Sequence, residues 1–341
     1  MQLGLFDYSN RMEKIDQNKD PLVRLSHLID WEQFRPQLET VRTKDRKSNA
    51  GRKPHDVVLM FKILILQSLY NLADDAIEFQ ILDRLSFMRF LKLGIESKVP
   101  DSKTIWLFRD QLRETGLLGK LFDQFDTFLR ENGFEAKAGQ AIDATIIPVP
   151  IQRNSRDENK QIKDGKIPEE WQKEDKKTKN KLAQKDTDAR WTQKNGKNHY
   201  GFKNHISIDI KHKFIRKQKV TSASVHDSNV FIELLDPLNS NGDVFADSAY
   251  SSEEHDLVLA ELNYRSRIIK KGCKNKKLTK NEQKGNRTKS KMRCRVEHVF
   301  GGQLAKMETA IVRVVGKARV TVVLELRNLT YNFCRYTVLK G

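Results

Sequence analysis

Three carboxylates in this sequence stand where an acid needs a reason. Asp143 lies within residues 138–150 (AGQAIDATIIPVP), an otherwise almost wholly apolar run that reads as one buried strand. Burying a lone carboxylate is costly unless something compensates its charge. Asp247 closes a second short strand pattern within residues 242–250 (GDVFADSAY), and Glu297 stands among Val296, Val299 and Phe300 on a helix pattern running from Met292 to about Leu304. If acids from two strands and a helix converge, their hard oxygens suit Mg²⁺ or Mn²⁺. Two such ions side by side are apparatus for in-line displacement at phosphorus. Each acid also has a plainer reading. Asp143 could be satisfied by backbone N–H groups or an arginine, Asp247 could be a turn residue, and Glu297 could pair with Arg293 one helical turn earlier.

The elements that would position them follow from periodicity. Residues 1–136 read as all-helical: an amphipathic patch at Pro21 to Phe34, then helices through Val57 to Leu69, Ile77 to Met88, Ile105 to Leu112 and Leu117 to Leu129. Pro54 suits a first turn, Asp74 or Asp75 a cap, and Gly133 a C-terminal stop. Such helices fit a DNA-binding module or a dimerisation bundle equally. From residue 137 the period changes to alternating strands and helices, an α/β pattern. Strands are expected at His199 to Ile210 and Phe214 to Thr221, joined by a turn at 211–213, then a helix capped by Asp227 or Ser228. After Asp247, Ser251-Ser252-Glu253-Glu254 announces another helix, which puts Asp247 at the mouth of a strand. Tyr264 to Lys271 reads as a strand and Lys317 to Tyr336 as a closing helix. Residues 152–197 form a polar tract that reads as a surface insertion, in which Trp171 and Trp191 are candidates for stacking on unpaired bases.

The charge balance points to a polyanion. Sixty-three Lys and Arg against 45 Asp and Glu leave a formal net charge of +18, which favours nucleic acid. From Arg265 to Arg295 there are fourteen Lys or Arg and one acid, Glu282. Lys270, Lys271, Lys289, Lys291, Arg293 and Arg295 are therefore candidate DNA contacts. Residues 44–53 form a second, shorter basic stretch. Cys273, Cys294 and Cys334 form no CxxC pair, which argues against a zinc site or a disulfide framework and for a reducing compartment. Residues 57–66 are interrupted by Lys62 and too short to span a bilayer. No membrane partner and a cytoplasmic, nucleoid-associated location are expected.

Several motifs in order carry a resemblance: GRKPHDVVLMFKILILQSLY and PDSKTIWLFRDQL in the helical part, then IDATIIPVP, HYGFKNHISID, TSASVHDSNV, DSAYSSEE, RCRVEHVFG and LRNLTYNFCR. The chain resembles bacterial insertion-sequence transposases of the Asp-Asp-Glu (DDE) class, in the broad group typified by insertion sequence five. The resemblance implies a ribonuclease-H-like catalytic domain, a mixed sheet flanked by helices, over residues 137–341, preceded by a helical domain over 1–136. It implies Asp143, Asp247 and Glu297 as the metal-binding catalytic triad, and Arg293 as a DNA contact. Ser290 and Leu304 replace a Tyr and a Lys of the wider family pattern, and Lys306 is the nearby cation that could take the phosphate. His226 and Asp227 match a family His-Asp pair. The implied activity is cut-and-paste transposition: binding of terminal inverted repeats in double-stranded DNA, cleavage at the element ends, and strand transfer into target DNA. A homodimer or larger synaptic assembly would pair the ends. The alternatives are a metal-dependent nuclease without strand transfer and a domesticated, non-catalytic DNA-binding protein.

Overall fold

Helix signals before residue 136 translate into α1 (Asp7–Gln17), α2 (Pro21–Leu28), α3 (Arg35–Glu39), α4 (Val57–Tyr70), α5 (Asp74–Asp83), α6 (Leu85–Leu91), α7 (Ser102–Thr115) and α8 (Leu117–Glu131). The structure, a computed structural model, describes residues 7–42, 53–172, 180, 182–272, 277–307 and 311–341; for Glu170 and residues 305–307 only the backbone is described. The basic stretch at 44–53, apart from Lys53, and Cys273 lie outside the described residues.

Helix α4 is apolar almost all round, and a helix of that kind must be buried; apart from the half-buried Leu59, Val57 to Leu66 are at most 4% exposed, Lys62 included. Asp56 caps it by accepting from the Leu59 N–H, so Pro54 precedes the cap rather than sitting in the first turn. Its Phe61 packs edge-on with Phe34 (5.4 Å), and Trp31 does so with Phe90 (5.4 Å) and with Phe333 of the last helix (5.4 Å). Asp74 is a first-turn acid rather than a cap, held by Arg109 at 2.7 Å. The pattern from Ile77 to Met88 is broken at Arg84, whose extended backbone ends α5 and begins α6.

The second half builds one sheet. Its strands are β1 (Gln140–Pro148), β2 (Arg190–Lys194), β3 (Lys197–Asp209), β4 (Ile215–Ser222), β5 (Asp243–Phe245) and β6 (Arg265–Ser266). Interspersed are α9 (Arg156–Lys163), α10 (Glu253–Glu261), α11 (Lys280–Met307) and α12 (Lys317–Lys340). Strand β3 runs antiparallel to both β1 and β4, while β5 is parallel to β1 and β6 parallel to β5. Set aside β2, which comes from the polar insertion, and the order is β4-β3-β1-β5-β6. Three antiparallel strands followed by two parallel ones make the mixed sheet of a ribonuclease-H-like fold. Gly139 lets β1 start hard against β5: its φ is +89°, and a Cβ there would stand 2.7 Å from the Asp243 carbonyl oxygen. One apolar cluster holds Ile142, Phe231, Val244, Tyr250 and Leu259. A second holds Ile147, Tyr200, Phe202 and Val220 together with Val320 and Leu324 from the start of α12.

Several expectations change. The helix expected after Asp227 is two short 3-10 turns, Asp227–Val230 and Ile232–Leu234, and the first is capped by His226. The strand expected over Tyr264 to Lys271 is regular only at Arg265–Ser266, although the Arg267 and Ile269 N–H groups still donate to the Val244 and Ala246 carbonyls. The polar insertion is not merely a loop, since it supplies α9 and β2, and its Asp186 and Asp188 accept the Gly316 and Lys317 N–H groups at the start of α12. Contacts group the chain into two compact units that differ from the linear division at 136/137. One comprises residues up to Gln124 with 306–308 and Glu325–Gly341; the other comprises Phe125–Ala305 with Thr309–Leu324.

Candidate active site

Strand β1 carries Asp143 at its middle, beyond the two residues, Gln140 and Ala141, where β5 pairs with it. Its side chain is 18% exposed. Oδ1 accepts the Ala144 N–H (2.8 Å) and Oδ2 accepts from Arg293 Nη1 (3.0 Å). Burial nonetheless pushes this carboxyl up to about 6, the Ala144 N–H and Arg293 pulling it down and the charge of Asp247 adding to the rise. Asp247 follows β5 and caps the 3-10 turn Ser248–Tyr250, accepting from the Ser248 N–H at 2.7 Å. Glu297 lies on α11 with its side chain 51% exposed and accepts from Arg293 Nη2. One guanidinium thus joins the strand acid to the helix acid, and its Nε is buried with no acceptor.

The sequence-derived acids therefore come together in pairs: Asp143 with Asp247 through their fields, and Asp143 with Glu297 through Arg293. Among the described residues no three His, Cys, Asp or Glu side chains are grouped as ligands of a single ion. The chemistry of the donors still fits a divalent cation. Asp143 and Asp247 stand near enough for the charge of one to act on the other, and carboxylate oxygens are the ligands hard cations take.

A residue the motif reading did not single out belongs here. Tyr250, three after Asp247, is 1% exposed, and its hydroxyl is buried without a partner. Burial raises its pKa, and Asp143, Asp227 and Asp247 raise it further. The signal was present in DSAY, where an aromatic follows the acid by three. Asp227 gains a physical account: it pairs with Lys203 at 2.8 Å, beside the fully buried His205, which desolvation pulls down to about 4. His226 Nδ1 meets the Ser228 hydroxyl at 2.6 Å. His298 is exposed and meets Lys213 Nζ (3.3 Å).

The candidate DNA contacts separate. Lys291 and Lys271 are exposed, and Lys270 is exposed but paired with Glu282 at 3.3 Å. Lys289 donates to the Ile268 carbonyl (2.8 Å) and Arg295 to that of Ile210, so both are spent on local structure. The side chain of Lys306 lies outside the described residues. Trp171 corrects its expectation as a stacking platform: it is 1% exposed and its Nε1 donates to Glu158 (2.7 Å). Trp191 remains 49% exposed and leans on Tyr200, ring centroids 5.2 Å apart.

Comparison with known proteins places this geometry. Residues 134–333 match the family described as Transposase DDE domain, and residues 9–111 match a family described as Transposase domain (DUF772). The chain belongs to the DDE transposases. It is an enzyme of DNA transposition, and this family works with divalent metal ions. Among solved structures, the chain is similar to the piggyBac transposase in a cryo-EM synaptic complex with hairpin DNA. The TM-score is 0.45 and the identity 12%, over 94% of this chain and 75% of that one. Among the described residues no single helix is long and apolar enough to cross a membrane.

Proposed function

We propose that this chain binds the terminal inverted repeats of a mobile element, cleaves the DNA at the element ends, and joins the freed 3′-hydroxyls to target DNA. Asp143, Asp247 and Glu297 are its catalytic acids. The observation that carries the reading is the junction of Asp143 with Glu297 through Arg293, with the field of Asp247 on the same strand acid. Mg²⁺ or Mn²⁺, as two ions, would be held by Asp143 and Asp247 with Glu297 completing the set, and would supply Lewis acidity and charge neutralisation at phosphorus.

The chain's own residues do the rest by positioning, because phosphoryl transfer asks for little covalent chemistry from the protein. Asp143 is positioned by its strand and by the Ala144 N–H on Oδ1. Asp247 is fixed by its role as a cap. Arg293 can turn its guanidinium to a phosphate. Beyond it, Lys280, Lys284, Arg287 and Lys291 are exposed at spacings of four, three and four, which aligns them on one face of α11. They offer a track for a DNA backbone, while Lys270, held beside Glu282 and Asn286, stands on the other side of the helix with Lys271 next to it in sequence. Trp191 is kept as a contact for an unpaired base. A dimer or larger assembly would bring two ends together.

The test is cleavage of a linear duplex carrying the element's ends. Asp143→Asn, Asp247→Asn and Glu297→Gln should each lower end cleavage by about a hundredfold to a thousandfold or more, the scale on which a removed transition-state stabiliser acts. DNA affinity should be largely retained. Unchanged cleavage by Asp143→Asn would remove the assignment.

A further inference from the structure

Arg293 does two jobs that cannot be done at once. In the DNA-free chain its Nη1 is committed to Asp143 and its Nη2 to Glu297, each bond charge-assisted on both sides. Its side chain is only 16% exposed and that of Asp143 18%, so water screens this contact weakly. A divalent cation held by the same carboxylates would face this guanidinium at close range, positive against positive. An arginine fork also matches a phosphate as well as it matches a carboxylate. It sits on α11, on the side turned to Asp143 and away from the exposed Lys280, Lys284, Arg287 and Lys291, and its Nε is still short of an acceptor. A DNA phosphate brought to Asp143 and Glu297 for cleavage would offer the guanidinium new acceptors, Nε included.

We infer that Arg293 is a resident counter-charge that keeps Asp143 and Glu297 engaged until a DNA phosphate takes it, so that divalent-cation binding at this site is coupled to DNA binding. The inference rests on the proposed function, in which those acids hold the metal. Its consequence is order: DNA first, then metal. By linkage the coupling is reciprocal, and the metal tightens DNA binding by the same factor. An enzyme arranged in this way assembles its cutting centre only on DNA.

The experiment is a Mn²⁺ titration followed by electron paramagnetic resonance, with and without an uncleavable duplex bearing an element end. Subtracting the Asp143→Asn signal isolates ions that depend on this site. Without DNA, Arg293→Gln should bind Mn²⁺ about tenfold or more tightly than the unaltered chain, because two charge-assisted bonds no longer compete. DNA should tighten Mn²⁺ binding in the unaltered chain but not in Arg293→Gln. Arg293→Lys, whose single ammonium cannot reproduce the fork, should fall between them, and it serves if the glutamine variant folds poorly. Arg295→Gln removes an equal charge from the same helix and should leave DNA-free affinity little changed. Equal DNA-free affinities for the unaltered chain and Arg293→Gln would overturn the inference, as would an equal gain in the Arg295 variant. Failure of every variant to show Asp143-dependent Mn²⁺ binding, even with DNA, would overturn the metal reading beneath it as well.

Discussion

Two arginines in the sheet-containing unit each join carboxylates, and they differ in whether the circle closes. Arg216 is 1% exposed on its side chain. It donates to Asp209 (3.2 Å), to Asp126 (2.5 Å) and to the Phe134 carbonyl. Asp209 also accepts the His212 and Phe214 N–H groups, and Asp126 is shared with Arg130, which reaches Asp236 at 3.0 Å. Every charge there has its partner. Arg293 bridges only Asp143 and the half-exposed Glu297, leaves its Nε unsatisfied, and leaves Asp143 with its carboxyl raised to about 6. Both clusters use the same residue types. The closed one ties the β3–β4 hairpin to the end of α8 and the segment that follows it. The open one keeps capacity for something that arrives later, as the proposed catalytic role requires.

Stability should divide the two most sharply. Arg216→Ala takes the guanidinium from the fully buried Asp209 and leaves Asp126 to Arg130 alone, and breaking a buried pair costs roughly 3–5 kcal/mol. Arg293→Gln should cost far less, since Asp143 can take up a proton near neutrality. Urea unfolding of both variants checks this, and equal losses would erase the distinction.

A smaller effect is tied to pH. Asp143 is raised from an ordinary 3.8 to about 6, so the folded chain keeps its proton at pH values where the unfolded chain has released it. Its contribution to stability therefore falls as pH rises from about 4 to about 6 and stays low above that. Asp143→Asn should gain stability over the unaltered chain at pH 7–8, on the order of 3 kcal/mol, with the gain vanishing near pH 4. Thermal melts across that window read it, and a gain independent of pH would contradict the account.

The smallest test concerns the exposed face of α11. Neutralising Lys280, Lys284, Arg287 and Lys291 together should reduce the slope of log affinity against log salt by up to about 3.6, on the basis of roughly 0.9 per phosphate contact. The same substitutions should leave the melting temperature nearly unmoved. An undiminished salt slope would place the DNA elsewhere.

The strand at 140–148, the hairpin of β3 and β4, and Asp247 at the end of a strand were legible because apolar alternation and turn residues mark them directly. The pairing of Glu297 with Arg293 was legible from their helical spacing, whereas the site role of Glu297 came only from the family resemblance. Other features depend on partners distant in sequence. The first half of α11 has no apolar period, so the expected helix began at Met292; what starts it at Lys280 is a capping box between Thr279 and Glu282, whose spacing was readable. Trp171 looked like a surface aromatic because its surroundings are polar, but Glu158 and Lys185 enclose it. Lys289 and Arg295 looked like phosphate contacts because charge alone cannot reveal a carbonyl waiting nearby. The last helix gave no sign that Phe333 joins Trp31, Phe34 and Phe61, since apolar residues carry no address.

The central claim is that the open cluster is the catalytic centre. Anomalous scattering from Mn²⁺, in crystals grown with an uncleavable duplex carrying an element end, addresses it most directly. The account predicts manganese within ligand distance of Asp143 and Asp247, with Arg293 turned away from Asp143 onto a phosphate. Manganese bound elsewhere, with Arg293 still joining Asp143 to Glu297 beside the scissile strand, would contradict it.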